Sequence, residues 1–516
     1  MFAHPDFEIL EDMATNAKKK QYVLMPDTNL FNIEEPGTSV SFLKSTRKLL
    51  VSPTAKRATR LDKRPTRRGL TAGITVLDEV APNDSLLVNL NADEVQLIAQ
   101  EQPGLRLVEV VELEPLWVRS LAVTPPLGAS AAGGRTPFTI RVLSKKNKAP
   151  LVGVAVYAFT DRSALTGVQG VTDKNGEVKV LLPSSTTILD VVETDPPFGF
   201  WGTFKRRVPL SNGSLDLLCD PIDLGAMDAR DAYNMRGSDK DGMGVVVGVI
   251  DTGVNPHTDL MITSAVNVVP NQLPTNVGDQ LGHGTHVCGI IAGRGPTGTA
   301  ARGIAPGVEL RVYKVFKPRA KTADSFSIAK AIRRAVEDGC DLINLSLGTK
   351  TDVNEILRQI RYARANGVVC IAAAGNDGRQ AVRYPAAYSQ VLSVTALGRK
   401  GTYPMRAIQK LGEVKPHGTD MDNYFAEFSN LGFQVGLIGP GVGVVSTMNN
   451  GYAAMDGTSM ACPAMTGMIA KFLGKNKKIL NMKRTQKRSD AIITMTLRKA
   501  QTLGFAKTFE GSGILV

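Results

Sequence analysis

The chain has 516 residues, 43% of them hydrophobic and only 6% aromatic, with 50 glycines and a formal net charge of +13. This length exceeds one average domain, so two to four are expected, and the composition excludes a fibrous or wholly disordered protein. No run of 18 apolar residues occurs, so no membrane span is expected.

The first 70 residues are polar and weakly periodic. They read as a basic, loosely structured segment with one short strand near residues 21–25. Residues 44–68 hold ten basic residues and one acid, Asp62. Such a block can bind nucleic acid. No aromatic residue interleaves it to stack on bases, so a solvated linker is the simpler reading and a nucleic-acid partner is not expected. A second basic run covers 471–488. The N-terminus shows no charged head followed by an apolar stretch, so no signal peptide is expected. Cys219, Cys288, Cys340, Cys370 and Cys462 form no close pairing pattern and suit a reducing compartment. Together these features point to a cytoplasmic protein.

Residues 71–130 read as a small α/β domain. A strand is expected over 85–90. Asn91 and Glu94 then form the two ends of a capping box, and Val95, Ile98 and Ala99 give the helix an apolar stripe. Pro103-Gly104 ends the helix, and the alternation over 105–113 predicts one strand. This unit resembles the second half of the inhibitor-like propeptides of subtilases, which lie on the enzyme domain. The resemblance implies that residues 71–118 occupy a substrate cleft until removed, with self-cleavage between about Leu116 and Met227.

Residues 135–222 change character. Short strands and turn signals without a helical period predict a β-sandwich, and Asn175-Gly176 predicts a hairpin over 171–180. The segment resembles transthyretin-like or carboxypeptidase-regulatory-like modules, which serve as spacers or docking units.

From residue 226 to the end, strands alternate with helices. An apolar run at 245–250, helices over 325–337 and 352–365, and strands over 342–345, 368–373 and 391–396 predict a doubly wound, mostly parallel sheet. Sites in such sheets lie outside the carboxyl ends of the strands. Asp251 stands at such an end, in Asp251-Thr252-Gly253. An aspartic-protease dyad would need a second Asp-Thr-Gly, and Asp456-Gly457-Thr458 only reverses the order. His283 and His286 in Gly282-His283-Gly284-Thr285-His286 could ligate a metal, but apart from Cys288 no further ligand stands nearby. Ser459 sits in Gly457-Thr458-Ser459-Met460-Ala461, ahead of a run of small apolar residues. By itself that is a helix cap.

In the order Asp251, His283, Ser459, these motifs together match the three signatures of the subtilisin-like serine proteases (subtilases). The resemblance runs from about residue 226 to 516. It implies a serine endopeptidase acting on protein or peptide substrates, with Ser459 as nucleophile, His283 as base and Asp251 as its orienting partner. Asn376, in Ala374-Gly375-Asn376-Asp377-Gly378, would donate to the oxyanion. Ser346-Leu347-Gly348 would pair with the substrate backbone, and Ala373-Ala374-Gly375 would wall the specificity pocket. Arg383, just before Tyr384-Pro385-Ala386, would line that pocket and favour an acidic residue before the scissile bond. No cofactor is required. Many relatives use the Asp of a His-x-Asp-Leu motif for calcium, here Asp259, but the loop at 294–299 has an Arg and no acid, which speaks against calcium. The ending Gly511-Ser512-Gly513 resembles the family's and implies a complete catalytic domain. The alternative class is a regulatory or partner-binding protein on the same fold, which the intact trio argues against.

Overall fold

The computed structural model describes residues 19–26, 75–82, 84–101, 104–118, 124–125, 135–226, 230–296, 299–449 and 451–516. The basic block at 44–68 lies outside them. Three units follow one another along the chain.

The first is a four-stranded antiparallel sheet in the order β2-β3-β1-β4, built from β1 (Lys20–Pro26), β2 (Thr75–Glu79), β3 (Leu86–Leu90) and β4 (Leu105–Glu109), with helix α1 (Ala92–Glu101) packed on it. The short strand expected near residues 21–25 exists. It is not part of a separate segment, however, because it sits between β3 and β4 and completes this domain. The capping box forms: Asn91 Oδ1 accepts from the Glu94 N–H at 2.9 Å, and Glu94 Oε2 from the Asn91 N–H at 2.8 Å. Successive strand residues face opposite sides. Leu24, Leu86, Val88 and Leu90 therefore pack with Ile98 of α1, while Val23 and Leu87 face outward onto Phe326 and Ala329 of the third unit. The single strand expected over 105–113 is two. After Glu109 the chain leaves the sheet and β5 (Glu112–Pro115) pairs elsewhere.

The second unit holds two small sheets around a shared core, a sandwich. One sheet runs β11-β10-β7-β8 and the other β12-β6-β9. The strands are β6 (Arg135–Ser144), β7 (Ala155–Asp161), β8 (Thr166–Val171), β9 (Glu177–Pro183), β10 (Ile188–Asp195), β11 (Phe204–Pro209) and β12 (Ser214–Cys219). Phe138, Ile140 and Val142 alternate inward to meet Val156, Ala158, Val180 and Leu182. The Asn175-Gly176 turn does not close a hairpin, because β8 pairs with β7 and β9 with β6. It carries the chain from one sheet to the other, with Gly176 in the left-handed region at φ 72°.

The third unit has an eight-stranded, mostly parallel sheet in the order β14-β15-β13-β17-β19-β20-β21, with β22 also on β20. Its strands are β13 (Val246–Asp251), β14 (Ser264–Asn267), β15 (Glu309–Lys314), β17 (Leu342–Leu345), β19 (Val369–Ala373), β20 (Leu392–Arg399), β21 (Asn423–Phe425) and β22 (Val435–Pro440). Two-residue strands β16 (Ala323–Asp324) and β18 (Leu347–Gly348) lie off it, and β23 (Val444–Met448) and β24 (Gly451–Met455) form a hairpin. Helices α2 (His283–Ala292) and α5 (Thr458–Lys475) cover one face, and α3 (Ser325–Glu337) and α4 (Asn354–Ala365) the other. Both faces are thus buried, as the continuous apolar strands require.

Candidate active site

Asp251 ends β13, and Gly282-His283 opens α2 beside it. His283 Nδ1 lies 2.6 Å from Asp251 Oδ1, and both side chains are buried. Asp251 Oδ1 also accepts the Thr252 N–H at 2.7 Å, which fixes the carboxylate. Two residues that sequence reasoning missed build this corner. Asp279 accepts from the N–H groups of Gly282 (2.7 Å) and Thr285 (2.8 Å) and from the hydroxyls of Thr252 and Thr285, so it caps α2 and ties it to the end of β13. Buried Lys314 donates to the carbonyls of Thr252 and Gly278 at 2.6 and 2.7 Å, and burial lowers its pKa. The only sequence signal for Asp279 was an acid four residues before His283, and Lys314 had none.

Ser459 stands in the first turn of α5. Its hydroxyl donates to the Ser346 carbonyl at 2.8 Å, while His283 Nε2 is buried without a partner among the described residues. Asn376 follows β19. Its Oδ1 accepts the Thr458 N–H (3.0 Å) and hydroxyl (2.8 Å), which leaves Nδ2 as a buried, unpartnered donor.

What lies between these groups is the chain's own segment 112–118. β5 pairs antiparallel with β18, matching Glu114 to Gly348 and Pro115 to Leu347, and with β16 on its other edge. The Leu116 N–H donates to the Ser346 carbonyl at 3.1 Å, and the Leu116 carbonyl accepts the Ser459 N–H at 2.9 Å. The Val118 N–H donates to the Asp456 carbonyl at 2.8 Å. The Trp117 ring meets the His283 ring edge-on, centroids 4.9 Å apart. The peptide bond between Leu116 and Trp117 is therefore flanked by Ser459 and His283.

Ser346, Leu347 and Gly348 thus hold the segment's backbone. A Cβ on Gly348 would come within 2.9 Å of Leu116 Cδ1, so glycine there makes room for that side chain. Ala373 ends β19, and the Ala374 carbonyl accepts the Arg383 N–H at 2.9 Å. Gly375, at φ 116°, donates to Thr458 Oγ1. Arg383 does not offer a free cation to the residue before the Leu116–Trp117 bond. Its guanidinium grips Asp377 at 2.5 and 2.6 Å, and its remaining nitrogen meets Glu114, two residues ahead of Leu116. The paired Arg holds the Asp377 carboxyl well below the usual range.

The Asp259 carboxylate accepts the Tyr452 hydroxyl at 2.7 Å. In the loop after α2, the Arg302 guanidinium donates to the carbonyls of Gly237 and Gly295 at 2.6 and 3.0 Å. His286 hydrogen-bonds the Ala453 carbonyl, and burial pushes its pKa down to about 3, so its ring stays neutral. Burial pushes the Cys462 thiol up to about 12, which makes it a packing group rather than a nucleophile.

Asp251, His283, Asn376 and Ser459 thus gather at the carboxyl ends of a doubly wound sheet. Residues 242–513 match the model of the subtilase family, Peptidase S8. The chain is 35% identical over 236 residues to alkaline elastase YaB of Bacillus sp. (strain YaB) and to subtilisin BL of Lederbergia lenta. These alignments span 46% of this chain, with 56% of the former protein and 78% of the latter. The major intracellular serine protease of Bacillus subtilis (strain 168) is 30% identical over 285 residues, spanning 53% of this chain and 81% of that protein. The chain belongs to the subtilase family of serine proteases. The expectation of a cytoplasmic protein is overturned here. Its subtilisin relatives are extracellular, with one intracellular protease beside them, so unpaired cysteines do not place the chain in the cytosol.

Proposed function

We propose that the chain is a serine endopeptidase that stores its own residues 112–118 in its cleft and cuts the bond between Leu116 and Trp117. The observation that carries this reading is the Leu116 carbonyl on the Ser459 N–H at 2.9 Å. Asn376, whose buried amide donor has no partner among the described residues, would complete a two-donor site for the oxygen as it takes up charge.

The chemistry follows from these positions. The Ser459 hydroxyl turns from the Ser346 carbonyl to His283 Nε2 and gives up its proton as Oγ bonds to the Leu116 carbonyl carbon. Asp251 accepts the Nδ1–H of the imidazolium and keeps Nε2 facing the serine. The C–N bond then breaks, and the Nε2 proton passes to the Trp117 nitrogen. Water, deprotonated by the same nitrogen, releases Leu116 as a carboxylate and restores Ser459.

The first unit supplies the inhibition. Asp78 bonds Lys330 on α3 at 2.6 Å, and Asp84 meets Arg333 on α3 and Arg358 on α4. With Val23 and Leu87 on Phe326, these contacts keep β5 clamped between β16 and β18. Fluorogenic hydrolysis of the peptide Glu-Leu-Glu-Pro-Leu-Trp-Val tests the assignment. Asp251→Asn should lower turnover by about 10⁴, as loss of the orienting carboxylate does in such a triad. An unchanged rate would remove Asp251 from the mechanism.

A further inference from the structure

The sandwich does more than space the other two units. It is bonded to the protease unit through the main chain: Gly199 N–H donates to the Tyr452 carbonyl at 2.7 Å, Phe204 N–H to Arg406 at 3.2 Å and Ile408 N–H to Gly202 at 3.0 Å. Trp201 packs with Ala407 and Val445 in the same seam. All these contacts lie downstream of Leu116–Trp117, so a cut there leaves them in place.

Between the two units lies a cavity of about 580 Å³. The β7–β8 turn (Arg162, Ser163, Leu165), Tyr157 and the end of β10 form one wall. The protease unit forms the other with Ile408, Phe428 and Asn376. Trp117 and Val118, the two residues after the Leu116 carbonyl, line it as well. Farther along, Thr124 N–H donates to the Leu165 carbonyl and the Gly167 N–H to the Thr124 carbonyl, both at 2.9 Å. The chain beyond the bond thus enters at the catalytic groups and later meets the sandwich edge.

We propose that the sandwich supplies half of a substrate-binding site for the polypeptide on the leaving side of the scissile bond. The site takes bulky apolar or aromatic residues at the first two leaving-side positions. The inference rests on the peptidase reading above. Its chemistry follows from the walls: the Tyr157 ring, Leu165, Ile408 and Phe428 give it apolar surface, the Arg162–Glu193 pair uses its charges on itself, and the carboxylates of Asp195, Glu427 and Asp456 on the lining disfavour an acidic residue there.

The test is a peptide library with the leaving side varied and Glu-Leu-Glu-Pro-Leu held constant, cleaved by the full-length chain after self-processing. The parent should favour Trp, Phe or Leu over Asp or Gly at the first leaving-side residue by roughly tenfold, the low end of what an apolar pocket discriminates. Two variants probe the wall. Leu165 has φ 52°, a conformation that Asp tolerates, so Leu165→Asp spares the fold. Ser163→Arg fills the cavity from an exposed turn. Both should flatten the leaving-side preference while the peptides are still cut after the constant Leu. A parent indifferent to the leaving side, or a preference intact in both variants, would overturn the proposal. No cleavage of any peptide would instead remove the peptidase reading, and this inference with it.

Discussion

Arg383 illustrates how a single partner redirects a charge. It lies near the pocket wall, and its sequence position read as a cation facing the residue before the cut. Asp377, six residues earlier, takes two of its nitrogens, so what remains faces Glu114. Lys350 stands 3.2 Å from the same aspartate and leaves the group with one net positive charge. Acidic preference therefore belongs two residues upstream of the position first expected. Arg383→Ala should reduce the advantage of Glu over Gln at that third position by roughly fivefold, the worth of a half-exposed charged hydrogen bond. Peptide kinetics with the two side chains exchanged measures it. Asp456 carries a second test. Burial raises its carboxyl from 3.8 to about 6, although Gly443 N–H and Gln409 donate to it. Between pH 4 and 6 the folded state holds a proton that the unfolded chain has released. The stability this group contributes is complete below about pH 4 and lost as pH rises through 6, about 3 kcal/mol in all. In a Ser459→Ala background, Asp456→Asn should flatten the thermal midpoint across that window. An unchanged slope would show that the carboxyl titrates normally.

At the scale of elements, β5 and the start of α2 decide what the site can do. Asp251, His283, Ser459 and Asn376 could be singled out in the sequence because each lies in a short motif whose glycines and strand ends are local. Asp279 was not, since its five donors come from the residue after β13, its own loop and α2, and only the fold collects them. Asp279→Ala should cost about 2 kcal/mol by removing a buried cap. It should also lower kcat more than it raises KM, because His283 loses its mount. A variant that loses stability but keeps kcat would make Asp279 purely structural. β5 was read as the tail of a sheet strand. Alternation looks the same whether a strand pairs in a sheet or in a cleft, and only the register with β18 tells them apart. The Asn175-Gly176 turn erred for a similar reason: a left-handed turn marks a reversal, not which sheet receives the next strand.

For the whole molecule, the sequence offered the protease unit through its alternating strands and helices and its motifs, while the mutual placement of the units was not legible. Placement depends on contacts between distant segments, such as Asp84 with Arg358, Val23 with Phe326, and Trp201 with Val445. Those contacts put the first unit on α3 and α4, the sandwich over the leaving side, and residues 112–118 through the catalytic groups between them. Intact-mass spectrometry of the purified full-length chain beside Ser459→Ala tests this most directly. The parent should yield two fragments meeting at Leu116 and Trp117, and the variant a single uncut chain. An uncut parent chain, or a cut elsewhere, would contradict it.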